Sequence, residues 1–350
     1  MNQDVSTEAP ARVKSRGALY RWIALLVLLV VTVGGVLLYW RYAEIYPSTD
    51  NAYTGANIVR VASQVSGPVA RVYVTDDDKV AAGDLLFDID PALYEAALRN
   101  ARAQFDAAAD AAGTAGDGLK GAAAKLEDQR RAVRDAIAKY REAKDAQKEG
   151  EPVSQNLKDA LQAVRDAMRA YEDAQAAFDD EQEKELTVTT PTVQLRAAAA
   201  QLDKASHEWV RTHVTSPASG WVSNVSLRPG SVVQAGTPAF AVVEDGTWWV
   251  DANFKETDLA RIKPGQPATI SLDMYPGTTL EGTVESISPG SGATFSVLPP
   301  ENATGNWVKV TQRFPVRIKI TSTPDPDRPL RMGASATVRV DTTATAQDEQ

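Results

Sequence analysis

The sequence predicts an α+β protein with a single transmembrane helix, a small β-module that is split by a long helical hairpin, and a small β-barrel domain. Three observations predict this class: an uncharged apolar run near the N-terminus, a β-like segment that occurs twice 153 positions apart, and helical periodicity between its two copies. The predicted boundaries are a tail at 1–21, a transmembrane helix at 22–40, a membrane-proximal β-segment at 41–61, the split module at 62–90 and 211–243, the hairpin at 91–210, the barrel and membrane-proximal domain at 244–341, and a tail at 342–350.

The composition of the 350 residues excludes several classes of function. There is no cysteine and there are only two histidines, so disulfides and most thiol and metal chemistry are excluded. The formal net charge of −9 argues against a nucleic-acid partner. No set of acid, base, nucleophile or metal ligands stands out, and we therefore expect no enzyme, no cofactor and no metal site.

The apolar run predicts a membrane anchor. Trp22–Trp40 holds 19 residues without a charge, which at about 1.5 Å per residue nearly spans a hydrocarbon core of about 30 Å. The alternative of a cleaved signal peptide is disfavoured, because the run is longer than the usual apolar region of about 7–15 residues. Positive charge precedes the run, so we expect a single-pass helix with the N-terminus in the cytoplasm. The charged residues are Arg12, Lys14, Arg16 and Arg21.

The repeat predicts one small β-unit built from two distant halves. Ser63–Ile89 lies over Ser216–Val242 without a gap, with identity at nine of 27 positions. The matches are apolar residues at strand spacing and glycines at expected turns. We predict structural turns at the matched glycines and expect their backbone conformations to resist β-branched residues. These glycines are Gly67 with Gly220, and Gly83 with Gly236.

The insertion between the copies predicts an antiparallel helical hairpin. Asp90 and Pro91 start the first helix, apolar residues then recur at spacings of three and four, and Ser154 can cap the returning helix. Breaks at Gly113–Gly118 and Thr187–Pro191 lie at similar distances from the turn, which predicts one joint in an extended hairpin. The alternative, a compact helical bundle folded back on itself, is disfavoured because the apolar seams are narrow and rich in alanine while the outer faces are charged.

The C-terminal region predicts a small β-barrel. β-Branched or alternating runs are punctuated by proline and glycine, and Lys255–Ile262 can form a helical turn or two across one end of the barrel. The predicted strands are Trp248–Asn253, Ala268–Leu272, Gly282–Ile287, Val308–Val310, Val316–Ile320 and Ala336–Val340.

The split module resembles the biotinyl/lipoyl-type domain, in which two similar halves form a flattened barrel. In carrier versions of that domain the modified lysine lies in the turn between the halves. The hairpin replaces that turn here, and Lys79 lies within the first half. The resemblance therefore implies a lipoyl-like domain that has lost its carrier function.

The order of the parts resembles the membrane fusion, or periplasmic adaptor, family (HlyD-type) of tripartite efflux pumps, in its EmrA-like branch. The resemblance rests on Thr49–Tyr53, Val250–Thr257 and the stretch Asn302–Val310. It implies a non-enzymatic, homo-oligomeric adaptor of the inner membrane with its bulk in the periplasm. Such an adaptor links a major-facilitator-type multidrug exporter in the inner membrane to a TolC-like outer-membrane channel. The alternative is an adaptor of a type I, ATP-driven polypeptide secretion system.

The same resemblance implies two contact regions. Ser154 and Leu157, at the hairpin tip, are expected to dock on the outer-membrane channel, since Leu157 is expected to have few partners of its own within a two-helix seam. The exporter side is expected to be contacted by a loop whose residues are Asn302, Thr304, Asn306 and Trp307.

Overall fold

The structure, a computed structural model, describes residues 16–113, 117–147, 152–188, 193–292, 294, 310–322, 325 and 328–344. These residues form two compact units, one made of residues 56–247 and the other of the segments before and after it. The predicted mixture of one apolar helix, a helical hairpin and a closed barrel is confirmed.

The elements follow one another in the order that the repeat predicts, with four helices between the two β-halves. The helices are α1 (Arg16–Ile45), α2 (Ala92–Ala112), α3 (Asp117–Ala146), α4 (Gln155–Val188) and α5 (Val193–Val210). The strands are β1 (Ser48–Gly55), β2 (Ile58–Ala62), β3 (Gly67–Val72), β4 (Lys79–Val80), β5 (Leu85–Ile89), β6 (His213–Thr215), β7 (Gly220–Ser223), β8 (Val232–Val233), β9 (Pro238–Glu244), β10 (Trp249–Lys255), β11 (Pro267–Leu272), β12 (Thr279–Ile287), β13 (Arg313–Ile320) and β14 (Ser335–Val340).

Helix α1 has the properties of a membrane span. Its segment Leu25–Ile45 is 21 residues long with a mean hydropathy of 1.9, and none of it is buried within the protein. An apolar helix that packs on nothing is unfavourable in water. In lipid, its backbone groups form hydrogen bonds within the helix and its apolar side chains contact apolar lipid tails.

The barrel closes through a strand from before the split module. Its strand order is β1-β10-β13-β12-β11-β14. In β1, Ala52 pairs with Ala252 on β10 and Thr49 pairs with Val338 on β14, so β1 bridges the two strands that would otherwise be edges. Alternate residues such as Phe254 point into the core. From its sequence this segment is predicted only to lie near the membrane, and the structure shows that it completes the barrel.

Two local predictions in the barrel had other outcomes. The segment Lys255–Ile262 ends β10 and continues as turns, so the predicted helical piece is wrong. The predicted strand Val308–Val310 falls mostly outside the described residues, and Val310 itself is not in a strand.

The split module consists of two four-stranded sheets, each of which draws on both copies of the repeat. Their strand orders are β2-β9-β7-β4 and β6-β5-β3-β8. Strands from different copies pair directly, as Gly67 does with Val233 and Lys79 with Trp221. The matched positions Phe87 and Phe240 meet in the core with ring centroids 5.9 Å apart. The two halves are therefore one folding unit, and β2 belongs to it through its pairing with β9.

The four matched glycines are needed for two different reasons. Gly83 and Gly236 have φ of 84° and 80°, which L-residues rarely adopt, and lie in turns as predicted. Gly67 and Gly220 instead begin β3 and β7 without a positive φ, so the predicted turn conformation is wrong for them. At these two positions a larger residue is excluded by lack of space. An added Cβ would lie 2.7 Å from Ile89 Cγ2 at the first and 2.0 Å from the Val243 carbonyl oxygen at the second.

Candidate functional site: the helical hairpin

The helices of the hairpin start and stop at identifiable signals. The Asp90 carboxylate accepts a hydrogen bond from the Ala92 backbone N–H at 3.0 Å, so the predicted capping residue acts at the start of α2. Gly113, with φ of 65°, follows the last residue of α2. At the start of α4, Ser154 Oγ accepts a bond from the Leu157 N–H at 3.3 Å. These caps reproduce the predicted breaks closely.

Gln147 joins the end of α3 to the start of α4, and we call the described residues there, 147 and 152–157, the tip. Its side-chain N–H donates to the Pro152 carbonyl at 3.1 Å, and its side-chain oxygen accepts from the Ser154 backbone N–H at 3.0 Å. One amide therefore holds both sides of the turn together.

The helices pair as two arms. Helix α2 packs along α5, and we call this pair the proximal arm because it joins the split module directly. Helix α3 packs along α4, and we call this pair the distal arm. The Tyr94 hydroxyl of α2 donates to the Ser66 carbonyl at 2.7 Å, which ties the proximal arm to the module at its root.

The distal arm is folded back along the proximal arm. The rings of Phe105 on α2 and Phe178 on α4 meet with centroids 6.0 Å apart, and those of Tyr171 on α4 and Trp209 on α5 lie 5.5 Å apart. Arg102 on α2 donates to the Ala123 carbonyl on α3 at 2.6 Å. The predicted extended hairpin is therefore wrong for this structure. The disfavoured alternative, a compact bundle folded back on itself, is the one observed.

Aromatic side chains are the reason for the folded bundle. Phe105, Phe178, Tyr171 and Trp209 are all essentially fully buried, and each lies where the two arms face one another. A ring that buries about 150–250 Å² needs neighbours on several sides, and an alanine-rich pair of helices covers only one side. The signal that could have revealed the bundle was the presence of these rings on helices with otherwise small apolar residues.

Folding back brings the distal arm against the split module through three ion pairs, which we call the latch. Arg71 of β3 lies 2.7 Å from Asp145 near the tip. The other two pairs join carboxylates of the module to arginines of the distal arm, Asp88 to Arg141 at 2.6 Å and Asp84 to Arg165 at 3.4 Å. The rings of Tyr73 and Tyr140 pack beside the latch at 5.4 Å.

Asp88 is the most enclosed member of the latch, with a side chain that is 0% exposed. One of its oxygens lies 2.7 Å from Nδ1 of His213, and the other accepts hydrogen bonds from the Tyr73 hydroxyl and from Arg141. Burial acts to raise the pKa of Asp88. The hydrogen bond and charge of His213, with the bonds from Tyr73 and Arg141, outweigh burial and hold the pKa below its ordinary value.

Asp84 is held less completely. One of its oxygens accepts from the Ala81 backbone N–H at 2.8 Å, whereas the other, like Nε of Arg165, is buried without a hydrogen-bond partner among the described residues. Burial raises the pKa of Asp84. This pair is therefore a charge contact without full hydrogen bonding, which makes it the weakest part of the latch.

A further polar cluster lies between the arms. Asp179 of α4 and Asp203 and His207 of α5 place their ligand atoms within 4.8 Å of one another. Burial, followed by the hydrogen bond and charge of Asp179, raises the pKa of Asp203 to about 6. Carboxylates and an imidazole at this spacing could hold a divalent cation, but Gln175 already donates to both carboxylates and we assign no metal here.

The predicted docking residues have structural roles at the tip. Ser154 caps α4, and the Leu157 side chain is only 6% exposed and belongs to the apolar core of the bundle. The expectation that Leu157 lacks partners within the seam is therefore wrong. Val153, at 56% exposure, is the exposed large hydrophobic residue of the described tip. The predicted exporter contacts Asn302, Thr304, Asn306 and Trp307 lie outside the described residues.

Comparisons with known proteins match both β-regions of the chain. A family model described as "RND MFP, barrel-sandwich hybrid domain" matches residues 57–245, more than half of the chain, and one described as "AAEA-like beta-barrel domain" matches residues 247–341. Neither model is that of an enzyme family. The solved structure of the periplasmic adaptor protein EmrA covers 85% of this chain and 99% of its own, at 23% identity and a TM-score of 0.45.

Several curated relatives match over nearly the whole length. The colistin resistance protein EmrA of Acinetobacter baumannii is 33% identical over 91% of this chain and 94% of its own. The multidrug resistance protein MdtN of Escherichia coli is 35% identical over 91% of this chain and 95% of its own. Their names do not favour the alternative of a polypeptide secretion adaptor. The chain therefore belongs to the membrane fusion, or periplasmic adaptor, protein family of efflux pumps, in its EmrA-like branch, and is a membrane-anchored periplasmic adaptor.

Proposed function

We propose that this adaptor is anchored in the inner membrane by α1, with its N-terminus in the cytoplasm, and that it links an inner-membrane exporter to an outer-membrane channel. The observation that carries the proposal is the match of both β-regions to drug-export adaptors in a chain that also carries an unburied apolar helix. The basic residues before the apolar run support the orientation, because positive flanks stay on the cytoplasmic side.

The exporter in this proposal is of the major-facilitator type and supplies the energy for transport. A single membrane helix cannot enclose a pore, so the adaptor's own task is to connect and seal. Sealing around a substrate path requires several copies, and we propose a homo-oligomeric ring.

The substrates that we propose are small amphipathic molecules. The related proteins carry names that refer to colistin, to multiple drugs and, for FarA of Neisseria gonorrhoeae at 37% identity over 85% of this chain, to fatty acids. These compounds share an apolar part and a polar or charged part.

The two partner contacts are assigned to opposite parts of the chain. The loop with Asn302, Thr304, Asn306 and Trp307 is proposed to face the exporter. The tip is proposed to face a TolC-like outer-membrane channel. Because Leu157 is buried, Val153 rather than Leu157 is the apolar side chain that the tip offers to a partner.

The test is deletion of the gene from its own cell, followed by complementation with the full chain. We expect the deletion strain to become more susceptible to amphipathic drugs and detergents, and to regain resistance with the full chain. Unchanged susceptibility to every such compound, together with loss of a secreted polypeptide, contradicts the proposal and supports the type I alternative.

A further inference from the structure

The folded hairpin is short for a protein that has to reach a distant partner. Helix α2 has 21 residues and α3 has 30, which at about 1.5 Å per residue correspond to roughly 30 Å and 45 Å. In the folded bundle the distal arm runs back past the proximal arm, and Asp145 near the tip contacts Arg71 of the module. With the arms in line, the tip would stand at about 75 Å from the module, by the same rise per residue.

The ion pairs between the distal arm and the module, unlike the ring contact of Tyr73 with Tyr140 beside them, are of a kind that can release into water. The latch consists of three arginine–carboxylate pairs, and Arg71 and Asp145 are already 40% and 62% exposed. Charged groups regain hydration when they separate, so a polar contact of this kind is easier to open than an apolar core. The pair of Asp84 and Arg165 is easier still to separate, because each side has a buried atom without a hydrogen-bond partner among the described residues.

The module is equipped to remain folded after the distal arm leaves. Loss of Arg141 removes one partner from Asp88, but His213 and Tyr73 both belong to the module and keep their bonds to the buried carboxylate. The root of the proximal arm stays fixed by the bond from Tyr94 to Ser66. Opening therefore leaves Asp88 with two partners in the module, while Asp84 loses its charge partner Arg165 and keeps the bond from the Ala81 N–H.

Opening would uncover the aromatic faces of both arms, and these faces need a new cover. They carry Phe105 and Trp209 on the proximal arm and Tyr171 and Phe178 on the distal arm. In a ring of identical adaptors every hairpin stands beside another copy of the same chain, whose arms present the same faces. A second copy of this chain is therefore the occupant that fits, and opening is favourable only where copies are assembled.

We propose that the folded hairpin is the closed, unassembled form of the adaptor, and that the distal arm swings away from the split module when copies assemble. The distal arm, α3 with α4, moves as one body relative to α2 and α5. The latch ion pairs separate. The aromatic faces, which pack on each other within one chain in the closed form, then pack on the arms of neighbouring copies. This inference rests on the proposed function, because the open form is the one that reaches an outer-membrane channel.

The native chain has no cysteine, so introduced thiols report without background. In the full-length protein, Arg71→Cys with Asp145→Cys places one thiol on each side of the latch. The matched control, Asp128→Cys with Arg131→Cys, places two exposed thiols three residues apart on α3, where a cross-link leaves the arms free. A short bifunctional thiol reagent with a cleavable spacer is added to cells, and efflux of an amphipathic fluorescent dye is followed before and after cleavage.

The latch pair is expected to cross-link, to lower dye efflux to that of the deletion strain, and to regain efflux after cleavage, while the control pair is unaffected. Normal efflux from the cross-linked latch pair overturns the inference, because the folded form is then the working form. Failure of the latch pair to cross-link in the dilute, detergent-solubilised protein, when the control pair does so, also overturns it. If the native chain itself supports no efflux, the proposed function fails instead.

Spin labels at the same two positions decide the conformational question without transport. In the dilute detergent-solubilised protein, the distance between labels at 71 and 145 is expected to be short. On assembly with exporter and channel it is expected to lengthen beyond the measurable range. A short distance that persists in the assembled complex contradicts the inference, whatever the transport assay shows.

Discussion

Asp88 shows how one buried carboxylate can serve both the split module and the hairpin. It joins β5 to β6 through His213, and it joins the module to α3 through Arg141. Because two of its three side-chain partners lie within the module, removal of the third weakens the latch without leaving a bare buried charge. A substitution of Arg141 on the distal arm is therefore expected to weaken closure of the hairpin without unfolding the module.

The first prediction uses this separation. Spin labels at 71 and 145 replace one latch pair, so the double change Arg141→Gln and Arg165→Gln removes the two pairs that remain and is expected to increase the long-distance population between the labels. Arg169→Gln, an exposed arginine on α4 whose carboxylate partner Asp166 is on the same helix, is the control and is expected to change nothing. An unchanged distance distribution in the double variant, with helix content intact, means that the ion pairs do not hold the arm.

A second prediction concerns pH and Asp203. Its pKa is about 6 in the folded protein and near 4 when unfolded, so ionisation is disfavoured by folding. The free energy of unfolding therefore loses a contribution as pH rises from about 4 through 6. Asp203→Asn is expected to raise that free energy by roughly 1 kcal/mol at pH 7.5, after allowance for solvent screening, and by less at pH 5.

Thermal unfolding at the two pH values measures this difference. Asp173→Asn is the control, since it removes the same charge from an exposed position on the neighbouring helix α4. The depressed pKa of Asp88 affects stability only below its ordinary range, so it does not interfere between pH 5 and 7.5. An equal gain for Asp203→Asn at both pH values contradicts the assigned cause.

The third prediction compares two matched glycines of the repeat. Gly220→Ala places a methyl group against the Val243 backbone carbonyl, which cannot move without breaking the sheet, and is expected to cost about 2–3 kcal/mol. Gly236→Ala meets no atom within 4 Å and is expected to cost about 1 kcal/mol from its positive φ alone. Denaturant unfolding measures both, and a larger cost at Gly236 means that backbone conformation rather than space limits this module.

At the scale of whole elements, the sequence predicts where helices lie better than it predicts what covers them. The caps at Asp90 and Ser154 and the breaks in periodicity locate all four helices of the hairpin. Heptad spacing indicates that a helix has an apolar face. The same face can be buried by one helix in an extended hairpin or by three helices in a four-helix bundle. Phe105 and Phe178 lie 73 positions apart, and no local pattern indicates that their rings meet.

Strand β1 shows the same limit. The segment that contains it is predicted to be a membrane-proximal β-segment, yet the strands that it joins, β10 and β14, begin about 200 and 290 residues later. The split module is predictable because of the repeat, since two similar β-segments in one chain are expected to pair with each other. The barrel has no such internal copy, so its closing strand could not be identified from the sequence.

The fourth prediction belongs to the tip as an element. Leu157→Asp places a carboxylate in the apolar core of the bundle and is expected to destabilise the protein by about 3 kcal/mol or more. Val153→Asp alters an exposed residue, and is expected to leave stability unchanged while weakening co-purification with the outer-membrane channel. Thermal unfolding and affinity co-purification separate the two effects. Unaltered channel binding by Val153→Asp removes the tip from the proposed contact.

At the scale of the whole molecule, the chain combines a membrane helix with two compact units that are interleaved along the sequence. The barrel unit takes its strands from both sides of residues 56–247, and the module in that stretch is in turn split by the hairpin. Neither unit can complete its sheets before most of the chain has been synthesised, since each needs strands of high sequence separation. Both units therefore have to fold in the same compartment, on the side of the membrane to which the chain after α1 is delivered.

The last prediction identifies that compartment. Arg12, Lys14, Arg16 and Arg21 precede the apolar run and only Arg41 follows it closely, so the N-terminal flank is expected to stay in the cytoplasm. A reporter enzyme that is active only outside the cytoplasm should be active when fused after Asp341 and inactive when fused after Arg16. A second reporter that is active only in the cytoplasm, fused at the same positions, should give the inverse pattern. If both reporters reverse, the module, hairpin and barrel lie in the cytoplasm, where no outer-membrane channel can be reached.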